Sequence, residues 1–464
     1  MAGLSYKIYS LGCKVNQYDG DKLGGLLKSA GFIFADKDAD VAIINSCAVT
    51  VSAIAKSRAM IKKARTENPG AKIILAGCWP RVYEKEVSAI GVDIIWDGKK
   101  FSELMKKINY VLAPAESPVR GLCRRSNIWQ SPEAETLPWL ATDNSEKSRY
   151  FLKIQDGCEQ FCAYCIIPYT RGKLHSRPMA EVFAEAETAV ASGWQEIVLT
   201  GIHLGLFGVN SGDKKSGPAL THPVRAARPP LSRGDLRDEN LLALLKKLVN
   251  INGLKKIRLS SIEVTEVGDE LIDFMAREPK MCRHLHIPLQ AGSDKILRLM
   301  KRPYDLKYFA DKIKKLRKKM PDIAISTDVI VGFPGETAKD FQGAEKFIKK
   351  IKFSRLHVFS FSAHALTPAA KMPDKVAPPE MKRRSEILRN LSDKLSVEYQ
   401  KKFAGKILEV VVEQNRSSRT GKSKGEKLKG KTEYYFDVFF DRKNIISKNP
   451  PPDLIGQVVK VKNI

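Results

Sequence analysis

Residues 153–172 read KIQDGCEQFCAYCIIPYTRG. Cys158, Cys162 and Cys165 stand there in a CxxxCxxC spacing, directly after an apolar, β-type run at 150–154. Three thiolates within eight residues can hold three corners of a cubane 4Fe–4S cluster and leave one iron open to a substrate or cofactor. Zinc is the alternative. A closed structural zinc site needs a fourth ligand, for which His175 is the near candidate. Placement just after a strand of a βα series favours the cluster, because such folds keep their active sites at carboxyl strand ends.

Downstream, strand-like runs recur at 150–154, 196–199, 256–259, 285–288, 324–330 and 356–361, with helical patterns between them. Six such units predict a partial (β/α)6 barrel rather than a full eight-unit one. The segment 209–239 carries Gly, Pro and Arg without a period and reads as a long surface loop, either RNA-binding or, by preference, filler. In 379–403, Ile387, Leu391, Leu395, Tyr399 and Phe403 recur at i, i+4, which predicts an amphipathic helix packed on the barrel. Runs at 406–413, 433–440 and 457–462 predict a small β-barrel interrupted by a loop at 416–431.

Upstream, strands at 7–10, 41–45, 72–76 and 92–95 alternate with helical patterns, which predicts a parallel sheet. Cys13, Cys47 and Cys78 each follow one of the first three strands by two or three residues. Parallel strands end on one edge, so these cysteines should converge where ligands bind. The alternative is three independent buried cysteines. The expected fold class is therefore α/β. Its divisions are an N-terminal parallel-sheet domain (1–117), a Pro-, Ser- and acid-rich linker (118–148), the barrel (149–378), a connecting helix (379–403) and the C-terminal β-barrel (404–464). Cys123 and Cys282 read as incidental.

The 464 residues are 43% hydrophobic and 28% charged, which excludes a disordered chain, a collagen-like fibre and a coiled-coil rod. No run suffices for a membrane helix. Lys7 and Lys14 interrupt the N-terminus, so no secretory signal is expected there. Eight cysteines are too sparse for a disulfide scaffold, which points to a cytoplasmic protein that uses cysteine for metal. A net charge of +27 suggests a polyanionic partner, nucleic acid first. Residues 403–464 hold 13 Lys and Arg against 7 Asp and Glu, a net +6. Arg416, Arg419, Lys422, Lys424, Lys427, Lys429 and Lys431 would neutralise phosphate. Tyr434, Tyr435 and Phe436 could stack bases, or two of them could be core on an alternating strand. Lys382, Arg383 and Arg384 would extend the patch or form a solvated face.

Together these features resemble the radical S-adenosylmethionine (SAM) enzymes and, within them, the methylthiotransferases. SLGCKVNQ, INSCAVT, LAGC, RLSSIE, HLHIPLQAGSD, TDVIVGFPGET and HVFSFS carry the resemblance along nearly the whole chain, beside the CxxxCxxC segment. SLGCKVNQ and NSCAVT look most like the bacterial branch acting on threonylcarbamoyladenosine in tRNA. The isopentenyladenosine and ribosomal-protein branches usually differ there. The chain departs from the family at Val264, Trp79, Pro80, His364, Ala365 and Leu366, and in the length of 209–239.

The resemblance implies two 4Fe–4S clusters, on Cys158, Cys162 and Cys165 and on Cys13, Cys47 and Cys78. SAM would bind the open iron of the first and give a 5′-deoxyadenosyl radical. The second would carry the sulfur inserted at carbon 2 of adenine, the two facing each other across the target base. Tyr164 would pack on the adenine of SAM, Thr200 and Gly201 would contact its methionine, and Ser261, Glu263 and Gln290 its ribose and methionine groups. Glu263 could equally cap the helix after it. Implied partners are the tRNA anticodon stem-loop, a one-electron donor and a sulfur source, with no membrane. The alternatives are the isopentenyladenosine substrate, a non-catalytic iron–sulfur RNA-binding or redox-sensing protein, and a zinc-stabilised structural protein. His284 and His286 alternate on a strand and read as packing rather than a metal pair.

Overall fold

The computed structural model describes residues 3–98, 100–113, 147–211, 239–413, 427–446 and 453–463. Cys123, most of the linker and insertion, and Arg416, Arg419, Lys422 and Lys424 lie outside the described residues. The chain divides into two compact units, Met1–Asn144 with Ile166–Gly172, and Ser145–Cys165 with Lys173–Ile464.

The first unit is built on a five-stranded parallel sheet in the order β2–β1–β3–β4–β5: β1 Ser5–Ser10, β2 Ile33–Phe34, β3 Val41–Ser46, β4 Lys72–Gly77 and β5 Ile94–Ile95. Every residue of β3 is buried, as a central strand covered on both faces requires. Its side chains alternate. Val41 and Ile43 join Leu23, Leu27, Leu104 and Ile108 from two helices on one face. Ala42 and Ile44 join Ile61, Ala64 and the fully buried Trp79 on the other.

In the second unit β6 Tyr150–Asp156, β8 Glu196–Gly201 and β9 Lys256–Leu259 pair in parallel, as do β10 His284–His286, β11 Ala324–Val331 and β12 Arg355–Ser360. Two isolated parallel bridges, Ile257 with Met281 and Ser261 with His286, join the β9 segment to the β10 segment, so six parallel strands follow in chain order. β7 His175–Ser176 pairs antiparallel with β6. One apolar core holds Leu152, Leu199, Leu259 and Leu285 from the strands, with Leu244, Phe309, Ile348 and Leu388 from the helices.

The helix Pro378–Lys401 buries Leu391, Leu395 and Tyr399 but only half-buries Ile387, and Phe403 lies beyond its end. Arg384 does not face solvent. It is buried, 2.5 Å from Glu336 and 2.8 Å from Glu380, one helical turn away. Arg383 also pairs with Glu380, while Lys382 is exposed.

The C-terminal region is a four-stranded antiparallel sheet in the order β15–β14–β13–β16: β13 Ile407–Glu413, β14 Leu428–Thr432, β15 Asp437–Phe440 and β16 Val458–Lys462. β14 occupies residues expected in the basic loop. Lys429 lies 3.1 Å from both Glu413 and Asp437, and Lys431 is buried against Asp437, so both cations are held internally; Lys427 is exposed. Tyr434, Tyr435 and Phe436 form a turn between β14 and β15 rather than an alternating strand. Tyr434 and Phe436 pack on Phe403, at 4.3 and 5.4 Å between ring centroids. Tyr435, at φ 70°, stacks on His284 at 4.4 Å.

The same turn is fastened to β8 and β9. Arg258 reaches Glu196 at 2.8 Å and donates to the carbonyls of Glu433 at 3.1 Å and Thr432 at 3.0 Å. Lys256 adds a pair with Glu409 at 2.6 Å. Among the described residues no helix is long and apolar enough to cross a membrane.

Candidate metal centre

In the first unit β1, β3 and β4 are neighbours in register, with Ser10 opposite Asn45 and Ser46 opposite Gly77. Their carboxyl ends therefore coincide. Cys47 and Cys78 follow β3 and β4 directly, and Cys13 caps the helix Lys14–Ser29. Two glycines make the convergence possible. Gly12 has φ 94°, and a Cβ there would stand 2.8 Å from Cβ and Sγ of Cys47. Gly77 has φ 91°, and its Cβ would stand 2.3 Å from the carbonyl oxygen of Ser46. Burial pushes the Cys47 thiol up to about 11, and Cys78 and Cys13 are near enough to push it the same way. Burial and Cys13 likewise raise Cys78. Arg171 opposes this at both thiols. Its side chain is 2% exposed, 3.1 Å from Asp19 and 3.4 Å from the Asn16 amide oxygen. Asn16 in turn donates to the carbonyls of Leu11, Asn45 and Ser46 and so ties the first two cysteine loops together.

In the second unit the CxxxCxxC loop leaves β6 through Asp156, whose carboxylate accepts from the Gly157 amide at 2.9 Å. Phe161, inside the loop, is held at φ 47°, a conformation costly for a bulky residue. The Gln160 amide donates to Cys158 Sγ at 3.4 Å, and Ala163 is pinned through Met300 O at 3.1 Å and the Ala369 amide at 2.8 Å. Cys158 and Cys162 are buried and Cys165 half-buried. Burial pushes the Cys158 thiol up to about 12 and raises Cys162. Dry thiols of this kind ionise only beside positive charge, which cluster irons supply. An amide aimed at sulfur also suits a cluster ligand. Among the described residues no three His, Cys, Asp or Glu side chains converge on a point that would hold a single ion. His175 is exposed on β7. Three thiolates are the donor chemistry of a four-iron cluster with one open iron, and each cysteine set offers three.

The expected cofactor residues stand near the carboxyl ends of the second unit's strands. Tyr164 is half-buried, its phenol raised by burial with Arg302 opposing. Thr200 is buried at the end of β8, and Gly201 lets β8 approach β6 at Gln155. Ser261 bridges to His286. Gln290 is held at φ 65° by backbone bonds to Asp328 and Ile330, both 2.8 Å. Glu263 does act as a cap: it forms a reciprocal box with Glu266 around the turn Val264–Glu266. It also pairs with Arg302.

Sequence reasoning missed Asn16, Arg171, Gln160, His203, Glu266 and Arg302. His203 follows β8 at φ 59°, with Nε2 2.9 Å from Gln160 and Nδ1 3.0 Å from Glu266. Burial pulls its pKa down, but Glu266 and Glu263 outweigh burial and raise it. A ring directly after a strand that ends at the site was the available signal. His284 and His286 both meet Ser326 Oγ at 2.9 Å, and His286 also meets Asp328 at 3.1 Å, so they serve packing and hydrogen bonding. Cys282 is buried, its thiol raised to about 12 by burial.

Residues 152–348 match the Radical SAM superfamily and residues 5–96 the Uncharacterized protein family UPF0004. The threonylcarbamoyladenosine tRNA methylthiotransferase MtaB of Bacillus subtilis (strain 168) is 37% identical, over 98% of this chain and 92% of its own length. The tRNA-2-methylthio-N(6)-dimethylallyladenosine synthase of Carboxydothermus hydrogenoformans is 33% identical, over 100% and 97%. Among solved structures, the radical S-adenosylmethionine methyltransferase TsrM from Kitasatospora setae aligns at a TM-score of 0.54 and 15% identity, over 80% of this chain and 77% of that one, a likeness of fold.

Proposed function

The chain belongs to the radical SAM methylthiotransferase family, and from that premise we propose that it adds a methylthio group to carbon 2 of N6-threonylcarbamoyladenosine, next to the anticodon of tRNA. The observation that carries this reading is the near full-length match to a relative of that activity, at higher identity than the Carboxydothermus hydrogenoformans synthase reaches.

The enzyme uses SAM and two 4Fe–4S clusters. When bound, these groups supply the one-electron chemistry and the sulfur. The chain's residues hold and shield them. Cys158, Cys162 and Cys165 hold one cluster, and Cys13, Cys47 and Cys78 the other. Burial of Cys158, Cys162, Cys47 and Cys78 keeps water from their sulfurs. Tyr164, Thr200, Gly201, Ser261, Glu263 and Gln290 orient SAM. We read the six parallel strands of 149–378 as an open (β/α)6 barrel, 1–117 as the auxiliary-cluster domain and 404–464 as a TRAM-type RNA-binding module joined by 379–403. RNA phosphate is gripped by Lys427 and by Arg416, Arg419, Lys422 and Lys424, with Lys429 and Lys431 bracing the sheet instead. A one-electron donor and a sulfur source complete the partners, in the cytoplasm.

The test is nucleoside mass spectrometry of tRNA from cells with and without the gene. Loss of methylthio-threonylcarbamoyladenosine, with the unthiolated form accumulating, supports the reading. Loss of the methylthio-isopentenyl nucleoside instead moves the substrate. No change in either nucleoside, with no redundant enzyme present, sinks it.

A further inference from the structure

Arg302 belongs to none of the cysteine motifs and lies 140 residues from Cys162, yet its Nη1 stands 3.2 Å from Cys162 Sγ. Its side chain is only 2% exposed. Each edge of the guanidinium has its own partner. Nη1 faces the sulfur, Nη2 faces the Glu263 carboxylate, and Nε faces Tyr304 Oη at 3.2 Å. Tyr304 Oη is itself fixed to the Pro288 carbonyl at 2.9 Å. The fork therefore cannot turn to another anion without giving up one of these contacts.

The backbone aims it as firmly. The helix Asp294–Leu299 ends with Lys301 in the left-handed region, at φ 57°, and the Arg302 amide closes back on Leu297 O at 2.9 Å. Met300, two residues before, accepts from the Ala163 amide inside the CxxxCxxC loop. The cysteine loop and the arginine are thus fastened to each other by main chain as well as by side chain.

We propose that Arg302 is a positioning residue that sets the reduction potential of the cluster held by Cys158, Cys162 and Cys165, by aiming a permanent positive charge and one N–H at the Cys162 sulfur. The inference rests on the functional reading above. Reduction by a low-potential one-electron donor adds one electron to the cluster, and part of that charge resides on the ligand sulfurs. A donor at sulfur stabilises the reduced form more than the oxidised one and raises the potential. Arg stays protonated throughout, so no proton accompanies the electron. Glu263 anchors the guanidinium and offsets its charge from the far side, leaving the directional N–H to the sulfur intact.

The experiment uses the full chain with Cys13, Cys47 and Cys78 replaced by Ala, so that only the core cluster forms, loaded anaerobically with iron and sulfide. Its midpoint is read by potentiometric titration with electron paramagnetic resonance, and SAM affinity by equilibrium dialysis. Arg302→Gln is expected to titrate at a more negative potential with altered g-values, its SAM affinity within about twofold. Arg302→Lys should recover part of the shift. Should Arg302→Gln fail to load, Tyr304→Phe, which removes the Nε partner, should shift the midpoint the same way by less. An unchanged midpoint in a loaded Arg302→Gln, or in loaded Tyr304→Phe where that variant stands in, overturns the proposal. So does a large loss of SAM affinity at constant midpoint, which would make Arg302 a SAM ligand. If the parent protein loads no cluster or cleaves no SAM, the functional reading itself fails, and this inference falls with it.

Discussion

Replacing Arg258 with Met should loosen the C-terminal sheet without touching the cysteine sites. Arg258 and Glu196 are each 1% exposed, and they pair at 2.8 Å. Met fills similar space but leaves a buried carboxylate alone and takes donors from the carbonyls of Thr432 and Glu433. Removing one partner of a buried pair costs about 3–5 kcal/mol. At about 1.4 kcal/mol per factor of ten, local opening becomes roughly 10²- to 10³-fold more frequent or more. The double variant Arg258→Met, Glu196→Leu removes the stranded charge, and the Thr432 carbonyl still accepts from the Tyr435 amide at 3.0 Å, so the remaining cost is the Glu433 carbonyl's lost donor, at about 1–3 kcal/mol. Native-state hydrogen exchange on the cluster-loaded protein reads this directly. Amides of Ile407–Glu413 and Val458–Lys462 should lose protection in the single variant and regain much of it in the double, while Val41–Ser46 in the first unit stays constant. A single variant that exchanges within about threefold of the parent, or a double no better than the single, would show that this pair does not fasten the sheet.

Three further outcomes are expected. Gly77→Ala, whose Cβ would press on the Ser46 carbonyl, should cut iron to about four per chain while SAM cleavage persists; a full iron complement would count against the role given to that loop. The pKa of His203 is raised on folding, so its stabilising effect is complete below its ordinary value of about 6.5 and fades as pH rises through the raised value. The stability gap between parent and His203→Gln should therefore be widest in acid, and a gap that widens with rising pH contradicts the Glu266 pairing. Lys427→Ala should lower the slope of log K against log salt for tRNA by about 0.7–0.9, whereas Lys431→Ala should lower stability and leave the slope alone.

The framework was legible because it is local. β3, β4, β8 and β11 are short apolar runs, and the rule that parallel strands share a carboxyl edge puts cysteines 31 to 34 residues apart on one rim. β14 was not legible. Its sequence, LKGKT, sets its two lysines on one face, and on the other the central residue, Gly430, has no side chain to mark it. Gly430 is required there because a Cβ would stand 2.7 Å from Val410. Lys429 and Lys431 then look like loop cations until Glu413 and Asp437 arrive from the neighbouring strands.

The hidden part of the site has one physical character. The cysteines announce themselves by spacing, but the groups that make them usable are single charges brought in from afar: Arg302 to Cys162 across 140 residues, and Arg171 to Asp19 across 152. Each arginine is 2% exposed and each faces a carboxylate, Glu263 or Asp19. A buried arginine is tolerable only with such a counter-ion, so the carboxylate and the arginine come as a pair, and neither has a periodicity to betray it. Glu263 carries such a pairing beside its cap. Its carboxylate, with about four acceptor positions, serves the capping box and the buried guanidinium and keeps room for a further donor such as a ribose hydroxyl. Glu263→Gln, which keeps the cap but weakens the guanidinium's anchor, should shift the midpoint of the loaded core cluster, and an unchanged midpoint would refute the anchoring role.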